Sequence, residues 1–363
     1  MGAAVVAVLI VAEIQHGGEP SASSTSTPTP TRSVSSPDGQ SATPSATSSP
    51  VTVTKVGHRL LGVTAGWELF GRGPDEVVRI QLARGRITRT KVPYLDSGGP
   101  VSFLVGPDRA VIRPWDSVPG YAVPDGERAH KLRGALGHGG PVIPGPKPGQ
   151  VWVWAQRETR QKMSLVGLHG SKTGVSIALP AGAGWAVSDG GGYPLVTATG
   201  GVYDMRSDGP HRVTTGRVTA VGPTGWLAIE CDDRHRCTRV VIERASGARH
   251  ELPGHVADRR SRLGSISPDG STAAVFRVRG AGEITLHLVD LASGADHRLA
   301  VSLEQGQGAP FPAGSLAWSP DSRWLFVANG KNLFAVYART GHVRGVRVKL
   351  PQIDQVAVRS APR

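Results

Sequence analysis

Residues 265–276 read SISPDGSTAAVF, which is an apolar strand start, a Pro-Asp-Gly turn and a second apolar run. Pro presets the backbone dihedral of a tight turn, and Asp and Gly tolerate the bend, so the stretch predicts a β-hairpin. The same pattern returns as LAWSPDSRWLFVA at 316–328 and, less fully, as FLVGPDRAVIR at 103–113 and AVGPTGWLAIE at 220–230. The sequence therefore predicts one hairpin that occurs four times.

A second hairpin unit also recurs, in which an alternating strand leads through a glycine turn into a more polar strand. Its predicted turn glycines are Gly85, Gly126, Gly174, Gly209, Gly247, Gly294 and Gly341. A repeat of about forty residues that holds two hairpins has the length of a four-stranded propeller blade. We therefore predict an all-β fold, a β-propeller of seven four-stranded blades. Six blades, eight blades and a two-sheet sandwich are the alternatives.

A ring of blades is expected because a lone four-stranded sheet leaves two apolar faces and two edges in water. Stacking the blades in a ring covers the faces, and polar outer strands protect the remaining edges. The stretch TVTKVGHRLLGV at 52–63 is interpreted as a strand that completes the last blade and closes the ring.

Two pairs of units carry a resemblance to a known family. SISPDGSTAAVF with LHLVDLASGADHRL, and LAWSPDSRWLFVA with LFAVYARTGHVR, resemble the Pro-Asp repeats of TolB-type, WD40-like β-propellers of bacterial envelopes. The match is good for residues 263–343 and degenerate for 55–260, and no clear Trp-Asp pair ends a blade. The resemblance implies a propeller outside the cytoplasm that serves as a protein-binding platform, although the fold also hosts enzymes.

The amino-terminal part divides into two segments ahead of the propeller, which we place at 52–359. Residues 1–14 begin MGAAVVAVLIVA, too short an apolar run to span a bilayer and without the basic start of a signal peptide, so we interpret them as the remnant of a signal or membrane anchor. A buried amino-terminal strand is the alternative. Residues 15–51 are dominated by Ser, Thr and Pro and are predicted to be a disordered linker.

The charge of the chain is basic, with 41 Lys and Arg against 28 Asp and Glu and a net charge of +13. Most of this excess follows residue 50, because the first fifty residues hold only Arg32 among basic side chains. The arginines are mostly scattered singly, and aromatic residues do not alternate with them as in a platform for single-stranded nucleic acid. We expect a solvated basic surface and no nucleic-acid partner.

The two cysteines, Cys231 and Cys237, flank the polar loop DDRHR between two apolar runs. If the runs pair as antiparallel strands, the sulfur atoms face each other at the base of the loop, so a disulfide is predicted. This agrees with an oxidising compartment. A metal site with His235 and Asp232 or Asp233 is the alternative, but its spacing does not fit a zinc site.

Catalytic motifs are not recognisable in the sequence. It lacks a Gly-x-Ser-x-Gly elbow, GSKTG at 170–174 reads as a hairpin turn, and SDGGGYP at 188–194 reads as a loop rather than a nucleotide cradle. We predict no catalytic, cofactor-binding or metal-binding residue. The histidines that follow the outer turns are expected on an exposed rim: His130, His211, His250, His297 and His342. Trp152 and Trp154 are expected to pack within blades, or else to line a mouth that stacks on sugars or peptides.

The function predicted from these features is that of a non-catalytic, monomeric propeller outside the cytoplasm, secreted or tethered to the membrane through its amino-terminal segment. It is expected to bind a protein or a cell-envelope polymer through one face of the disc, with no cofactor. Two alternatives stay open at this point. One is a propeller-type lyase or glycosidase with its site at the central channel, and the other is the sensor ectodomain of a longer membrane protein.

Overall fold

A computed structural model describes an all-β, propeller-like arrangement. The described residues are 51–93, 100–115, 119–137, 140–155, 161–184, 186–253, 262–279, 283–301, 314–329, 332–346 and 348–360. The helical structure within these ranges consists of two single 3₁₀ turns, Leu82–Arg84 and Gly134–Leu136. None of it could cross a bilayer as a helix. The predicted signal remnant at 1–14 and all but the last residue of the predicted linker at 15–51 lie outside the described residues.

Three sheets are formed by strands from the first half of the chain and from its carboxyl end. The closing sheet has the order β1-β4-β3-β2-β29. Its strands are β1 (Val51–Lys55), β2 (Glu68–Arg72), β3 (Glu76–Gln81), β4 (Arg86–Lys91) and β29 (Gln355–Arg359). The next sheet holds β5 (Val101–Val105), β6 (Arg109–Pro114), β7 (Tyr121–Pro124) and β8 (His130–Lys131). The third holds β9 (Val142–Pro144), β10 (Gln150–Ala155), β11 (Lys162–Gly167) and β12 (Lys172–Ala178).

Three further sheets follow along the chain. One is β13 (Ala186–Ser188), β14 (Pro194–Ala198), β15 (Gly201–Arg206) and β16 (Gly209–Thr214). An eight-stranded sheet comprises β17 (Arg217–Val221), β18 (Gly225–Cys231), β19 (Cys237–Glu243), β20 (Arg249–Leu252), β21 (Arg262–Ile266), β22 (Thr272–Arg279), β23 (Glu283–Asp290) and β24 (Asp296–Arg298). The last is β25 (Leu316–Trp318), β26 (Trp324–Asn329), β27 (Asn332–Tyr337) and β28 (His342–Gly345).

The number of separate blades differs from the prediction. Among the described residues, five sheets of four or five strands are individual blades, not seven. The eight-stranded sheet accounts for the difference, because β17 and β21 pair in parallel at Ala220 with Gly264 and at Val221 with Ser265. Pairing between first strands depends on tertiary packing, which the repeat length does not reveal.

The strand that closes the ring also differs from the prediction. The 52–63 stretch does not complete the last blade, because β1 pairs with β4 on the outer edge of the closing sheet. Instead, β29 pairs with β2, from Arg359 opposite Glu68 to Gln355 opposite Arg72. The two ends of the described chain therefore meet in one sheet.

The Ser-Pro-Asp turns are held by a repeated set of hydrogen bonds. The Ser267 hydroxyl donates to Asp269 Oδ1 at 2.6 Å and accepts the Thr272 N–H at 3.0 Å. Ser319 does the same with Asp321 at 2.5 Å and with the Trp324 N–H at 2.9 Å. Each serine thus fixes both sides of the turn between a first and a second strand. All four predicted inner hairpins are confirmed.

The outer turns follow the prediction with one exception. Gly126, Gly247, Gly294 and Gly341 have positive φ in turns between third and fourth strands. In the third sheet, however, the turn lies at His169 and Gly170, where the Gly170 N–H donates to the Gly167 carbonyl at 2.8 Å. Gly174 lies inside β12, next to an irregularity in its pairing with β11. Both glycines have positive φ. Either could serve as a turn glycine, so the sequence alone does not show which one marks the turn.

The core is divided among apolar clusters that lie between neighbouring sheets. Trp67 and Leu69 of the closing region pack with Phe326 of β26, and the rings of Trp67 and Phe326 are 5.6 Å apart. On the other side of the closing sheet, Phe70 packs with Phe103 and Ile112 of the next sheet. Each sheet is therefore buried on both faces, as a ring requires. The first strands adjoin one another in turn, for example β29 beside β5 and β25 beside β29.

The predicted disulfide is confirmed. Cys231 and Cys237 are bonded, with an S–S distance of 2.01 Å and a Cα–Cα distance of 4.0 Å. They stand opposite each other where β18 and β19 end, so the strand pairing itself brings the sulfur atoms together. Between them, Asp232 Oδ1 accepts the N–H groups of Arg234 and Arg236 at 3.0 and 2.9 Å.

Replacement of both cysteines by serine is expected to lower the free energy of unfolding by about 2 kcal/mol, because opening a short cross-linked loop returns entropy to the unfolded chain. Urea denaturation of the variant and of the wild type checks this. The wild type under reducing conditions is the control and should match the variant. Two titratable thiols in the denatured, unreduced wild type would contradict the disulfide.

Candidate functional site

In each run of four antiparallel strands, the first strand lies nearest the centre of the ring, and its residue types bear on catalysis. These strands are β5, β9, β13, β17, β21, β25 and β29, with sequences VSFLV, VIP, AVS, RVTAV, RLGSI, LAW and QVAVR. None of these strands contains Asp, Glu or His, the residue types used most in acid–base chemistry. These strands themselves therefore supply no carboxylate or imidazole for the pair or triad that a glycosidase or hydrolase uses.

The carboxylates closest to the ring closure surround Arg359 at the end of β29. Arg359 Nη2 donates to Glu68 Oε2 at 2.5 Å and to Asp125 Oδ2 at 2.6 Å. Its Nη1 also donates to the Gly106 and Pro107 carbonyls, at 3.2 and 3.0 Å. The guanidinium thus joins the closing sheet to two turns of the next sheet.

Glu68 is held in its charged form by this arrangement. Burial acts to raise the pKa of Glu68, but hydrogen bonds from Arg79, Gln81 and Arg359 outweigh burial and lower the pKa to about 2. Arg79 binds Glu68 through two hydrogen bonds of 3.1 and 2.7 Å. A carboxylate so strongly held as an anion is unsuited to proton transfer near neutral pH and is well suited to holding two sheets together.

A second buried arginine network lies at the glycine-rich turn between β13 and β14. Arg244 forms a short ion pair with Asp189, whose side chain is fully buried, and donates to the Gly222 carbonyl at 2.9 Å. Burial raises the pKa of Asp189, and the neighbouring Arg244 opposes that effect. Asp189 Oδ1 accepts the N–H groups of Gly191 and Tyr193 at 2.7 and 2.8 Å.

The glycines of this turn are explained by close packing. A Cβ on Gly190 would clash with the backbone of Gly222, and a Cβ on Gly192 would come within 2.7 Å of the Pro146 Cα. Gly191 is similarly pressed against the Arg244 guanidinium. The interpretation of SDGGGYP as a loop is confirmed, and its glycines lie against neighbouring turns.

A hydroxyl, an imidazole and a carboxylate are aligned in the eight-stranded sheet. Thr285 Oγ1 lies 3.0 Å from His287 Nε2, and His287 Nδ1 lies 2.7 Å from Asp296 Oδ1. Burial acts to raise the pKa of Asp296, but hydrogen bonding to His287 and the charges of Arg277 and Arg239 lower it. Thr285 and His287 are each 3% exposed and lie on a third strand, away from the channel. The alignment therefore stabilises the sheet and leaves no access for a substrate.

The remaining predicted residues fall largely where the sequence indicates. The five rim histidines are all exposed on fourth strands: His130, His211, His250, His297 and His342. Trp152 and Trp154 are buried in the cluster between the third and fourth sheets, which confirms packing within the propeller rather than a mouth lining. Within the described ranges, no group of three or more His, Cys, Asp or Glu side chains could hold a metal ion.

The sequence analysis did not predict a basic surface that the fold assembles from separate segments. Residues 51–67, 82–93 and 332–346 contain no Asp or Glu, and the fold brings them together. The absence of acidic residues from separate segments is a signal that the sequence does carry. It indicates a basic surface only when the segments are known to be neighbours.

Comparisons with known proteins bear on the fold. No family model matches the chain, and no curated protein sequence matches it. A protein of unknown function from Desulfotomaculum acetoxidans is 12% identical, with a TM-score of 0.52 over 82% of this chain and 100% of that chain. TolB from Acinetobacter baumannii is 12% identical, with a TM-score of 0.42 over 82% of this chain and 83% of that chain.

A further similar structure is an oligogalacturonate lyase in complex with manganese, 12% identical with a TM-score of 0.49, covering 77% of this chain and 87% of that chain. At such identities the likeness concerns the fold alone, and the first structure carries the argument for it. TolB is among the similar structures, as the Pro-Asp repeats predict. A likeness of fold does not decide between an enzyme and a binding protein.

Replacement of Glu68 by Gln tests the role of the closure network. A carboxyl with a lowered pKa stabilises the fold above its unfolded value of 4.5 and loses that effect as the pH falls towards about 2. The stability gap between wild type and variant should therefore be on the order of 3 kcal/mol at pH 7 and shrink between pH 5 and pH 2. Urea denaturation across this range measures the gap.

The matched control for this variant is Glu283→Gln. Glu283 pairs with Arg298 on the exposed rim, where the two side chains are 60% and 53% exposed. An exposed pair contributes at most about 1 kcal/mol, so the control should show a small gap without this pH dependence. A Glu68→Gln gap that stays constant from pH 7 to pH 2 would contradict the assignment.

Proposed function

We propose that the chain is a non-catalytic propeller outside the cytoplasm that binds a protein or a cell-envelope polymer through one face of its disc. The observation that carries this is the absence of Asp, Glu and His from the described first strands. Acid–base catalysis by these strands would need such side chains. The ion pairs of Glu68, Asp189 and Asp296 described above instead join neighbouring strands and sheets.

The ring in this proposal has seven blades. Each half of the eight-stranded sheet is an antiparallel run of four strands, and only two residue pairs join the halves. An apolar cluster also lies between the halves, where Leu227 and Val241 pack with Val275 and Val289. This is the packing found between separate sheets. If the two halves count as two blades, they and the five individual blades make seven.

A location outside the cytoplasm is supported by the disulfide and by the amino-terminal sequence. Disulfides persist in oxidising compartments, and a Ser/Thr/Pro tract suits a stalk between a membrane or signal segment and an exported domain. In this proposal residues 1–14 serve as the signal or anchor and 15–51 as the linker, and the propeller at 52–359 acts as a monomer without a nucleic-acid partner.

The disc offers two faces that differ in their turns. The hairpin face carries the turns between first and second strands and between third and fourth strands, such as 222–224 and 244–248. The crossover face carries the turns between second and third strands and the connections between sheets, such as 232–236 and 215–216. Turns on both faces are exposed and can supply contacts.

Site-specific photo-crosslinking tests the proposal. A crosslinking residue is placed on the hairpin face at Ala65, Ala245 or Ala292 and on the crossover face at Ala181, Thr215 or Asp233, all of them exposed. The full-length protein is irradiated on intact cell envelopes, and adducts are counted for each position. Adducts from one face alone are expected. Equal adducts from both faces, or none from either, would contradict binding through one face.

A further inference from the structure

A concentrated basic surface lies where the closing sheet meets the sheet of β25–β28. We call it the cationic sector and define it by eight exposed residues: Lys55, His58, Arg59, Arg84, Arg86, Arg339, His342 and Arg344. Most of them lie in or next to turns of the hairpin face. The sector therefore belongs to the outer part of that face.

The charges of the sector are uncompensated among the described residues. None of its six Lys and Arg side chains forms an ion pair with a described carboxylate, and the segments that carry them contain no Asp or Glu. The outer strands β20 and β24 are different. Arg298 on β24 pairs with Glu283 at 2.8 Å, and Arg249 on β20 pairs with Glu230. The sector thus groups six basic side chains that have no described acidic partner.

Backbone contacts bring the closing-sheet members of the sector together. Lys55 stands directly opposite Arg86 in the pairing of β1 with β4, so two like charges face each other across the strands. After β1 the chain folds over the β3–β4 turn, where the Val56 N–H donates to the Gly85 carbonyl at 2.8 Å. The backbone of His58 packs against Gly85. Arg59 and Arg84 are thereby placed on the same turn.

Arg344 is placed beside this turn by the repeat. Arg344 occupies the position on its fourth strand that His250 and His297 occupy on theirs. The residues opposite them on the third strands are Ala335, Val241 and Leu288, respectively. Both histidines reach the outer turn of the following four-stranded unit. His250 Nε2 lies 3.0 Å from the Leu291 carbonyl, and the ring of His297 packs against Gly341.

The turn that follows Arg344 around the ring is the β3–β4 turn of the closing sheet. Val346, two residues after Arg344, is buried with Leu60 and Leu82 in one cluster. Arg344 is equivalent to His250 and His297, which reach the next outer turn, and it lies two residues from the cluster shared with the closing sheet. Both observations place it near Arg84 and His58. Positive charge from two sheets is therefore continuous.

We propose that the cationic sector binds an extended, phosphate-bearing polymer of the cell envelope. The inference rests on the proposed function and names both the face that is used and the chemistry of the partner. Five of the eight residues are arginines, whose planar guanidinium groups bind phosphate oxygens in pairs. The facing like charges of Lys55 and Arg86 cost stability unless an anion lies near both, which a polyanion supplies.

A polymer fits the sector better than a folded protein does. Protein interfaces depend on buried aromatic and apolar anchors. Within the described ranges the exposed large apolar side chains are Val53 and Val175, and of these only Val53 lies near the sector. The sector also offers no exposed aromatic ring, so stacking on the bases of single-stranded nucleic acid has no partner there.

The test uses purified full-length protein and linear inorganic polyphosphate as the probe. Binding should weaken with added salt, with a slope of log K against log salt of about −4 for six cationic contacts on the single-strand scaling. The variant Arg84→Glu/Arg86→Glu/Arg339→Glu/Arg344→Glu should bind at least about tenfold more weakly than wild type. Glutamate at Arg86 faces Lys55, so folding is favoured, and a thermal melt verifies it.

The matched control reverses four exposed cations of the third and fourth sheets, Lys147→Glu, Lys162→Glu, Lys172→Glu and Arg212→Glu, which gives the same net charge. It should retain most of the binding. Equal loss in both variants would overturn the sector as the site. Poly-L-glutamate that binds as tightly as polyphosphate would overturn the phosphate preference, and single-stranded DNA that binds more tightly would overturn the envelope polymer.

The two proposals fail in different ways. If the sector does not bind polyphosphate while crosslinks still form on one face, the partner chemistry is wrong and the binding platform stands. If polyphosphate binds at the sector while no face yields envelope adducts, the chemistry is right and the envelope role is wrong.

Discussion

The pairing of β29 with β2 is the constraint on which the other features of the propeller depend. It joins residues near the two ends of the described chain, and the Arg359 guanidinium reinforces it by binding Glu68 in the same sheet and Asp125 in the next. Without this pairing, β2 would have an open edge, and the clusters on either side of the closing sheet would each lose a wall. The ring closes because backbone hydrogen bonds and a buried charge act at the same place.

Charge has two separate uses in this fold. Two arginines, the buried Arg359 and the half-buried Arg244, meet Asp125 and Asp189 of neighbouring sheets and hold the sheets in register. The described first strands themselves contain no Asp, Glu or His. The six Lys and Arg side chains of the cationic sector, by contrast, have no described carboxylate partners and lie on the surface.

Local features of the fold follow from the sequence, whereas contacts between distant segments do not. The Ser267 and Ser319 turns, the turn at Gly294 and the Cys231–Cys237 hairpin each depend on a few adjacent residues, and all were predicted. The pairing of β17 with β21, the position of β1 and the choice between Gly170 and Gly174 depend on packing. Arg359 and Asp125 lie far apart in the chain, so no local pattern reveals their ion pair. The cationic sector was detectable only as segments without acidic residues.

Native-state hydrogen exchange at the β29 amides tests the central claim most directly. If the pairing of β29 with β2 closes one cooperative ring, the Ala357 and Arg359 amides, which alternate with the Val356 amide that bonds Gly314 and so face β2, should exchange only through global unfolding, with the same free energy as amides of the buried strand β26. Exchange of β29 at a much lower free energy, close to that of the exposed edge strand β12, would show that the ring stays folded without its closure and would contradict the account.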